Sequence, residues 1–433
     1  MIWDDEAALW EIKAVGPQGL RTVRANAVFS CVGFLSRPNL PEINGMDTFT
    51  GPAFHTARWP SDLDVTGKRI AVIGTGCSGY QMVPELAKLA GHTYVFQRTP
   101  NWCYDLPGYL KPFPPQVNWL DRNLPYHSNF MRYRIAILAG PENVRPRWEI
   151  DPNFNDTHAR SALNKAIRDE RISFMRRKLA DRPELFEKML PEAPPMAARP
   201  ILVDPEYSIF DALLRDNVTL VSDGIERITP NGILARDGHE YPVDIIVFAT
   251  GFKANDFLWP MEVRGRGGQR VEKLWEKDGA RAYLGAMLPG FPNFFMVYGP
   301  NSNSVSGLQI PDFEEIVTRF GLECIRGLIE QGKRTVDVTT DAYWRFNDVL
   351  DRWEAFKIYM DPRANNYYRN KHGRSAGNSP IDSRLMWGWL RSPVAPSPNL
   401  VLFNGGPVAA GGGPTSGGAD EVHPHFGQDL IAE

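Results

Sequence analysis

Apolar residues recur along the chain in short runs that predict β-strands separated by polar turns. Two such runs lie near the N-terminus, at residues 8–12 and 27–32, and the second ends on Gly33. Further runs follow at residues 218–221 and 244–248. Because stretches with helical periodicity lie between these runs, the pattern predicts an α/β fold.

Residues 68–98 form the clearest unit, which consists of a strand, a glycine turn, a helix and a second strand. The apolar strand at residues 68–73 runs into Gly-Thr-Gly-Cys-Ser-Gly at residues 74–79, and residues 80–90 are helical. In a G-x-G-x-x-G turn, the first glycine permits the tight turn, the second admits a pyrophosphate and the third allows helix packing. The helix N-terminus adds free N–H groups for the phosphates. We therefore predict that Gly74, Thr75, Gly76, Cys77, Ser78 and Gly79 bind a dinucleotide.

The strand at residues 93–96 ends in Gln97, Arg98 and Thr99, which indicate the type of dinucleotide. An NAD site usually carries an acidic residue here for the ribose 2′-hydroxyl, whereas Arg98 stands roughly twenty residues past the last glycine, where NADP meets an arginine. The guanidinium suits a phosphate through its fixed charge and planar donors. An ordinary surface arginine is the alternative, but the pattern favours NADPH bound by these three residues.

Two similar segments indicate that one domain is inserted into another. Residues 31–34 (Cys-Val-Gly-Phe) and 249–252 (Ala-Thr-Gly-Phe) each follow an apolar strand and end on Gly-Phe. We interpret them as the two crossings between an outer domain, formed by residues 1–34 and 249–400, and an inner domain at residues 35–248. Coincidence is the alternative, because strands often end on glycine.

Two further stretches differ in character from the strands. Residues 105–195 are rich in Pro, Trp and Arg and contain helical pieces, which predicts a helical insert in the inner domain. Its basic cluster at residues 168–178 is interleaved with acidic residues, so a solvated helix face is favoured over a nucleic-acid surface. Residues 401–433 are glycine-rich and predict a flexible tail, because no strand and helix flank them as a phosphate loop requires.

Composition narrows the class of protein. With 433 residues, 43% hydrophobic and 23% charged, the chain can form two or three globular domains. A net charge of −3 gives no indication of nucleic acid or an anionic membrane as the main partner. The apolar runs are too short to span a bilayer. The four cysteines include no C-x-x-C pair, which argues against a zinc site and favours a reducing, cytoplasmic location.

The loop at residues 49–60, FTGPAFHTARWP, carries several reactive or aromatic side chains without helical or strand periodicity. Its spacing, F-x-G-x-x-x-H-x-x-x-W-P just before the dinucleotide motif, resembles the fingerprint of Baeyer–Villiger monooxygenases, flavoproteins that insert oxygen beside a ketone carbonyl. The resemblance extends through residues 95–102, 248–252 and 291–301. The insert and the Asn-Tyr-Tyr-Arg-Asn at residues 366–370 are most similar to the 4-hydroxyacetophenone monooxygenase branch.

The resemblance implies a Rossmann-like NADPH domain with a helical insert, set into a partial FAD-binding domain. It implies that NADPH reduces FAD and that one oxygen atom of O₂ is inserted next to a small-molecule ketone carbonyl, which gives an ester or lactone. It also implies that His55 is catalytic and that Trp59, Thr250, Gly251 and Asn301 contact cofactors. A structural alternative is that His55 and Trp59 only hold their loop in place by packing and hydrogen bonding.

The resemblance also assigns a catalytic role to Arg199. The family has an arginine that stabilises the anionic oxygen adduct of the flavin, between the insert and the strand that leads to the second crossing. Residues 195–202, Pro-Met-Ala-Ala-Arg-Pro-Ile-Leu, match that context. A fixed cation there stabilises negative charge as it moves to the substrate oxygen. The alternative is a surface arginine tied to Asp204 or Glu206.

Full-length members of the resembled family begin with a second G-x-G-x-x-G that binds the ADP part of FAD, and this chain has none before residue 74. The acidic partner of the catalytic arginine is missing too. We therefore interpret Met1 as an internal methionine or a truncation point, which would leave FAD poorly bound.

Two alternatives to this function stay open. One is oxygenation of nitrogen or sulfur, against which Trp59-Pro60 argues, and the other is a non-catalytic NADPH-binding fragment. The sequence indicates neither the ketone nor whether the chain is a monomer or a homodimer.

Overall fold

The computed structural model describes residues 1–307, 309–364, 366–391 and 399–405, in which strands and helices alternate. The strands are β1 (Ile2–Asp4), β2 (Leu9–Gly16), β3 (Gly19–Ala25), β4 (Val28–Ser30), β5 (Ala53–His55), β6 (Arg69–Ile73), β7 (His92–Phe96), β8 (Cys103–Asp105), β9 (Ile201–Val203), β10 (Val218–Val221), β11 (Ile225–Thr229), β12 (Gly232–Ala235), β13 (Glu240–Pro242), β14 (Ile245–Phe248), β15 (Phe294–Met296), β16 (Asn303–Ser304), β17 (Thr335–Val338), β18 (Asn378–Ser379) and β19 (Leu400–Phe403). The α-helices are α1 (Cys77–Leu89), α2 (Pro115–Asn123), α3 (His127–Leu138), α4 (Pro141–Val144), α5 (Ala162–Lys178), α6 (Pro183–Met189), α7 (Ile209–Leu213), α8 (Val271–Leu274), α9 (Ile310–Glu330), α10 (Thr340–Glu354) and α11 (Ser383–Arg391).

A five-stranded parallel sheet with the order β10-β7-β6-β14-β5 forms the centre of residues 53–248. Successive side chains of β6 enter two different cores. Ile70 and Val72 pack with α1, whereas Ala71 and Ile73 pack with the antiparallel β11–β13 on the other face. Because both faces are covered, the strand reads as a continuous apolar run. The predicted α/β class is confirmed.

A separate core joins the N-terminal residues to the last third of the chain. Trp10 on β2 is fully buried there, lies 5.5 Å from the ring of Phe294 and donates its indole N–H to the carbonyl of Pro292 at 2.8 Å. β4 pairs in parallel with β15, and α9, α10 and β17 complete the core. The residues of this core belong to the segments 1–34 and 249–400, for which we predicted the outer domain.

The predicted flexible tail begins too early. Val401, Leu402 and Phe403 belong to β19, which pairs antiparallel with β17, and the hydroxyl of Thr335 donates to the carbonyl of Phe403 at 2.6 Å. The apolar run Leu-Val-Leu-Phe forms this strand because it completes the core around β17. The tail prediction is therefore wrong for residues 401–403, and its residues 406–433 lie outside the described part of the chain.

The chain just after the first Gly-Phe segment runs beside the second one. Pro38 and Phe252 form an antiparallel bridge, and the N–H of Asn39 donates to the carbonyl of Gly251 at 2.9 Å. The Thr250 hydroxyl donates to the carbonyl of Asn39 at 2.5 Å. The chain that follows the first segment is thus hydrogen-bonded to the second, and the interpretation of both segments as crossings between two domains stays a prediction.

The helical insert contains α2 to α6. Helix α5 begins at Ser161, whose hydroxyl accepts the N–H of Asn164 at 3.1 Å. Helices α2 and α3 form a hairpin whose side chains are almost all exposed. No described helix is both long and apolar enough to cross a membrane. Ion pairs fasten the insert to the last third of the chain: Glu149 to Lys357 at 3.2 Å, Arg160 to Asp361 at 3.0 Å and Arg145 to Asp382 at 3.3 Å.

Candidate functional site

In the glycine turn between β6 and α1, two of the three motif glycines leave no space for a side chain and the third lies beside open space. Gly74 has a φ of 110°, and a Cβ there would lie 2.5 Å from the carbonyl oxygen of Ala249. A Cβ on Gly79 would overlap the carbonyl of Gly74. A Cβ on Gly76, at the N-terminus of α1, would meet no atom within 4 Å. The open space at Gly76 is therefore where a pyrophosphate can approach the helix N–H groups.

The other residues of the turn differ in how far they are exposed to a ligand. Thr75 is buried, and its hydroxyl donates to the carbonyl of Thr99 at 3.0 Å while its own carbonyl accepts from Asn101 at 2.8 Å. Thr75 and Thr99 thus brace the turn against the loop after β7. Ser78 is exposed on the first turn of α1, and Cys77 is half-buried beside it.

At the end of β7, the side chain of Gln97 is engaged in hydrogen bonds within the protein, whereas that of Arg98 is exposed. Gln97 is buried, where its amide oxygen accepts from the Tyr80 hydroxyl at 3.1 Å and its amide nitrogen donates to the carbonyl of Lys188 at 2.7 Å. Arg98 is exposed and has no carboxylate partner among the described residues. Gln97 therefore joins α1 to α6, whereas Arg98 is available for a phosphate.

We expect Arg98→Ala to weaken NADPH binding about 10- to 50-fold, because one charge-assisted contact to the 2′-phosphate is lost. NADH binding should change little, because NADH has no 2′-phosphate. Fluorescence titration of both nucleotides measures the two effects, with Arg177→Ala on the exposed face of α5 as the control. An equal loss for both nucleotides would contradict the assignment.

His55 connects the loop at residues 49–60 to the second crossing. It ends β5, which lies beside β14, and only 3% of it is exposed. Its Nδ1 accepts the N–H of Ala57 at 3.1 Å, so Nε2 carries the proton and donates to the carbonyl of Gly251 at 2.8 Å. The ring also meets Phe252 edge-on at 5.1 Å. Because both ring nitrogens are occupied, this arrangement favours the structural alternative for His55 over the catalytic role.

Trp59 lies at the end of the same loop. Its ring packs edge-on against Phe54 of β5 at 5.0 Å, and 38% of the residue stays exposed. The contact fixes one side of the indole and leaves the other side available for a ligand.

Burial lowers the pKa of His55, and its hydrogen bond to Gly251 opposes this only in part. The unfolded chain therefore binds a proton more readily than the folded one, so stability should fall as pH drops below about 6.5. We expect the free energy of unfolding of the wild type to decrease between pH 7.5 and 5.5 by more than that of His55→Gln. Urea unfolding at both pH values tests this, and equal decreases would contradict it.

Arg199 lies where the glycine turn meets the last third of the chain. Its Nη1 donates to the Tyr367 hydroxyl at 3.4 Å, and its charge acts on Cys77 of the turn and on Tyr298 after β15. Burial raises the pKa of the Cys77 thiol and Arg199 offsets this only in part, so the thiol stays protonated. Arg199 is exposed and can therefore meet a ligand between the turn and the last third of the chain.

The surface ion pairs considered as an alternative for Arg199 are not formed. Within the described residues, Asp204 accepts backbone N–H groups, including that of Leu110 at 3.4 Å, and Glu206 pairs with Lys111 at 3.4 Å. The Arg199 side chain therefore points toward Tyr367, at the junction between the glycine turn and the last third of the chain, and not toward Asp204 or Glu206.

A cleft of about 690 Å³ opens beside this junction. It lies between α9 and the carboxyl ends of β4 and β15, and is lined by Gly33, Tyr298 and Leu322 among others. Ligands bind at this edge of parallel sheets, and the volume is within the usual range for cofactor pockets. Phe34 stacks on Tyr298 at 5.6 Å and approaches Tyr367 at 6.4 Å, which gives the junction an aromatic wall.

Asn301, predicted at a cofactor, is buried and has an occupied amide. Its nitrogen donates to the carbonyls of Ser375 and Asn378 at 2.9 and 2.8 Å, and its oxygen accepts from Arg374 at 2.9 Å. It therefore holds together the chain around β16 and β18.

Comparison with known proteins identifies the family. A model of the flavin-binding monooxygenase-like family matches residues 6–109. A Baeyer–Villiger monooxygenase of Streptomyces coelicolor is 34% identical over 380 residues, which cover 87% of this chain and 68% of that protein. The chain belongs to the Baeyer–Villiger monooxygenase family.

Two further monooxygenases also match most of this chain. An uncharacterized monooxygenase of Sinorhizobium fredii is 32% identical over 90% of this chain and 58% of its own length. A phenazine N-monooxygenase of Lysobacter antibioticus is 31% identical over 81% of this chain and 68% of its own length. This chain therefore spans under two thirds of the Sinorhizobium protein.

Solved Baeyer–Villiger structures share the fold. Oxidized steroid monooxygenase bound to NADP superposes with a TM-score of 0.74 and 26% identity, over 93% of this chain and 79% of that one. The complex of OTEMO with FAD and NADP gives a TM-score of 0.71 and 26% identity, over 89% of this chain and 76% of that one. The predicted Rossmann-like architecture is thereby confirmed.

The sequence did not reveal the partners of Arg199 in this Baeyer–Villiger chain. Tyr367 is 168 residues away and Tyr298 lies in another segment, so no local spacing connects them. The adjacent tyrosines Tyr367 and Tyr368 were a usable signal only in that a buried tyrosine hydroxyl usually finds a hydrogen-bond partner, without indicating which partner.

Proposed function

We propose that this chain acts in an NADPH- and FAD-dependent monooxygenase that inserts one oxygen atom of O₂ next to a ketone carbonyl and gives an ester or lactone. The observation that carries the proposal is the position of Arg199, an exposed cation between the glycine turn and the cleft beside Tyr298. The family membership and the FAD and NADP in the OTEMO structure support it.

The residues of the turn fit NADPH. The N–H groups at the start of α1 would hold the pyrophosphate above Gly76, where no atom blocks its approach. Arg98 would bind the 2′-phosphate at the end of β7. Thr75 and Gln97 would act indirectly, since their polar groups hold the turn and the neighbouring helices in place.

The cleft fits part of FAD. The ring of Tyr298 in its lining and its position at the carboxyl ends of β4 and β15 suit the flat flavin ring. Residues 1–73 contain no second G-x-G-x-x-G, so we assign no residue of this chain to the ADP half. Bound FAD, reduced by NADPH, would supply the activation of O₂.

The role of this chain in catalysis is to position and stabilise charge. The Arg199 guanidinium would stabilise negative charge on the reacting oxygen atoms, and the Tyr367 hydroxyl would orient it by accepting its hydrogen bond. The hydrogen bonds of His55 to Ala57 and Gly251 would keep the loop with Trp59 against the second crossing. Both effects depend on a fixed geometry between the two proposed domains, residues 35–248 and the remaining segments.

The decisive experiment combines flavin retention with product analysis. The purified chain is incubated with FAD and desalted, and its visible spectrum is recorded before and after NADPH is added under argon. Aerobic incubation with a panel of aryl and cyclic ketones follows, with products identified by mass spectrometry. Retained flavin and an ester or lactone that is heavier than the ketone by one oxygen atom support the proposal. NADPH binding without flavin would mean that this chain alone is a non-catalytic fragment.

A second candidate is oxygenation of a ring nitrogen, which the likeness to the phenazine N-monooxygenase favours. Paired incubations with a ketone and an aromatic nitrogen heterocycle separate the two reactions. An N-oxide with no ester would replace the first proposal by the second. For either reaction, the substrates are a small organic molecule and O₂, and we propose a cytoplasmic location.

A further inference from the structure

Exposed apolar side chains are concentrated in one part of the helical insert, residues 106–138, here named the docking hairpin. Of the 31 exposed large hydrophobic side chains among the described residues, thirteen lie in these 33 residues. They are Leu106, Tyr109, Leu110, Phe113, Trp119, Leu124, Tyr126, Phe130, Met131, Tyr133, Ile135, Ile137 and Leu138. Exposed apolar side chains that are concentrated in one segment indicate an interaction site.

Part of the apolar surface of α3 faces away from the protein. Arg132 marks the inner side of the helix, because it forms ion pairs with Asp312 and Glu315 of α9. At about 100° per residue, Phe130, Ile137 and Leu138 fall on the opposite side of the helix. Ordinary surface helices show the reverse arrangement, with the apolar side inward. The outer side of α3 therefore lacks the partner that its sequence requires.

The charge of the docking hairpin differs from that of the whole chain. It contains Lys111, Arg122, Arg132 and Arg134 against a single Asp121, which gives +3, whereas the whole chain carries −3. Within the described part of the chain, Arg122 and Arg134 have no carboxylate partner. By helical geometry Arg134 lies in the middle of the outer apolar side of α3. The missing partner is therefore apolar and negatively charged.

We propose that the docking hairpin binds the surface of an anionic lipid membrane. Six of its thirteen exposed apolar side chains are aromatic, and tryptophan and tyrosine are favoured at the level of the lipid headgroups. Arginines on an apolar helix bind lipid phosphates while the neighbouring side chains enter the acyl boundary. A second copy of this chain fits less well, because a twofold interface would place the unpaired Arg134 of both copies near each other.

The test is co-sedimentation of the full chain with vesicles. Vesicles of pure phosphatidylcholine are compared with vesicles that contain one third phosphatidylglycerol. We expect binding to the anionic vesicles, weaker binding in high salt because charges are screened, and at least tenfold weaker binding for Arg122→Glu/Arg134→Glu and for Phe130→Ser/Ile137→Ser. Matched controls are Arg177→Glu on α5 and Val15→Ser/Leu20→Ser on the exposed β2–β3 hairpin, which should bind as the wild type does.

Circular dichroism and NADPH titration establish that each variant folds, since none of these residues lies in the proposed nucleotide site. Absence of binding to anionic vesicles overturns the proposal, and so does equal loss in the control variants. Analytical ultracentrifugation without lipid is run in parallel. A dimer that dissociates in Phe130→Ser/Ile137→Ser would assign the surface to a second copy and would also overturn the membrane proposal.

Discussion

Replacing Arg199 with alanine is expected to lower the rate of product formation about 10²- to 10³-fold, because one preorganised charge at the reacting oxygen atoms is removed. NADPH should still bind, because its proposed contacts at Gly76 and Arg98 do not involve this side chain. The measurement is product yield by mass spectrometry beside NADPH titration, on chain that has retained flavin.

Three variants separate a catalytic charge from a structural contact. Arg199→Lys keeps the charge but loses the planar geometry, so we expect intermediate activity. Tyr367→Phe removes the 3.4 Å hydrogen bond and should lower the rate less than Arg199→Ala does. Arg177→Ala is the matched control on an exposed helix. Unchanged product formation by Arg199→Ala would exclude the proposed role.

The second large effect concerns two glycines of one turn. Gly74→Ala should destabilise the fold by roughly 2–4 kcal/mol, because its φ of 110° strains any other residue and its Cβ would lie 2.5 Å from a carbonyl oxygen. Gly76→Ala should change stability by less than about 1 kcal/mol, because its φ of −80° suits alanine and no atom lies within 4 Å. NADPH binding should nevertheless fall at least about tenfold, because the methyl group occupies the space for the pyrophosphate.

Urea unfolding and NADPH titration distinguish these outcomes. Gly327→Ala in α9 is the control, since no atom lies within 4 Å of its Cβ position and alanine suits a helix. A Gly76→Ala variant that binds NADPH as the wild type does would mean that the pyrophosphate lies elsewhere. A fully stable Gly74→Ala variant would contradict the closed packing of the turn against the second crossing.

The parts that the sequence predicted correctly are governed by local rules. The strand before Gly74 and the helix after it follow from an apolar run, three glycines and helical periodicity within about thirty residues. The two Gly-Phe segments could be related to each other because each repeats the same strand-Gly-Phe ending, and Asn39, just after the first, hydrogen-bonds to Gly251 of the second. Their role as crossings between two domains stays a prediction.

The remaining features depend on contacts between distant residues. Gln97 and Asn301 were predicted to contact cofactors, but their amides bind Lys188 and Ser375, which no local pattern connects to them. The strand at Leu400–Phe403 was hidden because its partner β17 is about sixty residues away and a glycine-rich stretch follows. The basic, apolar surface at residues 106–138 was not predicted, because the net charge of −3 describes the whole chain and conceals the local excess of positive charge.

The bond from Asn39 to Gly251 has a mechanical consequence for the proposed division into two domains. The two linkers between the proposed domains would then run side by side and act as a single hinge. The proposed inner domain would swing about the line of that hinge without stretching either linker, whereas sliding or twisting would break the bonds between them. A motion that carries a nucleotide toward or away from the cleft would be limited to rotation about this line, and the path of Arg199 would be set by the position of the hinge.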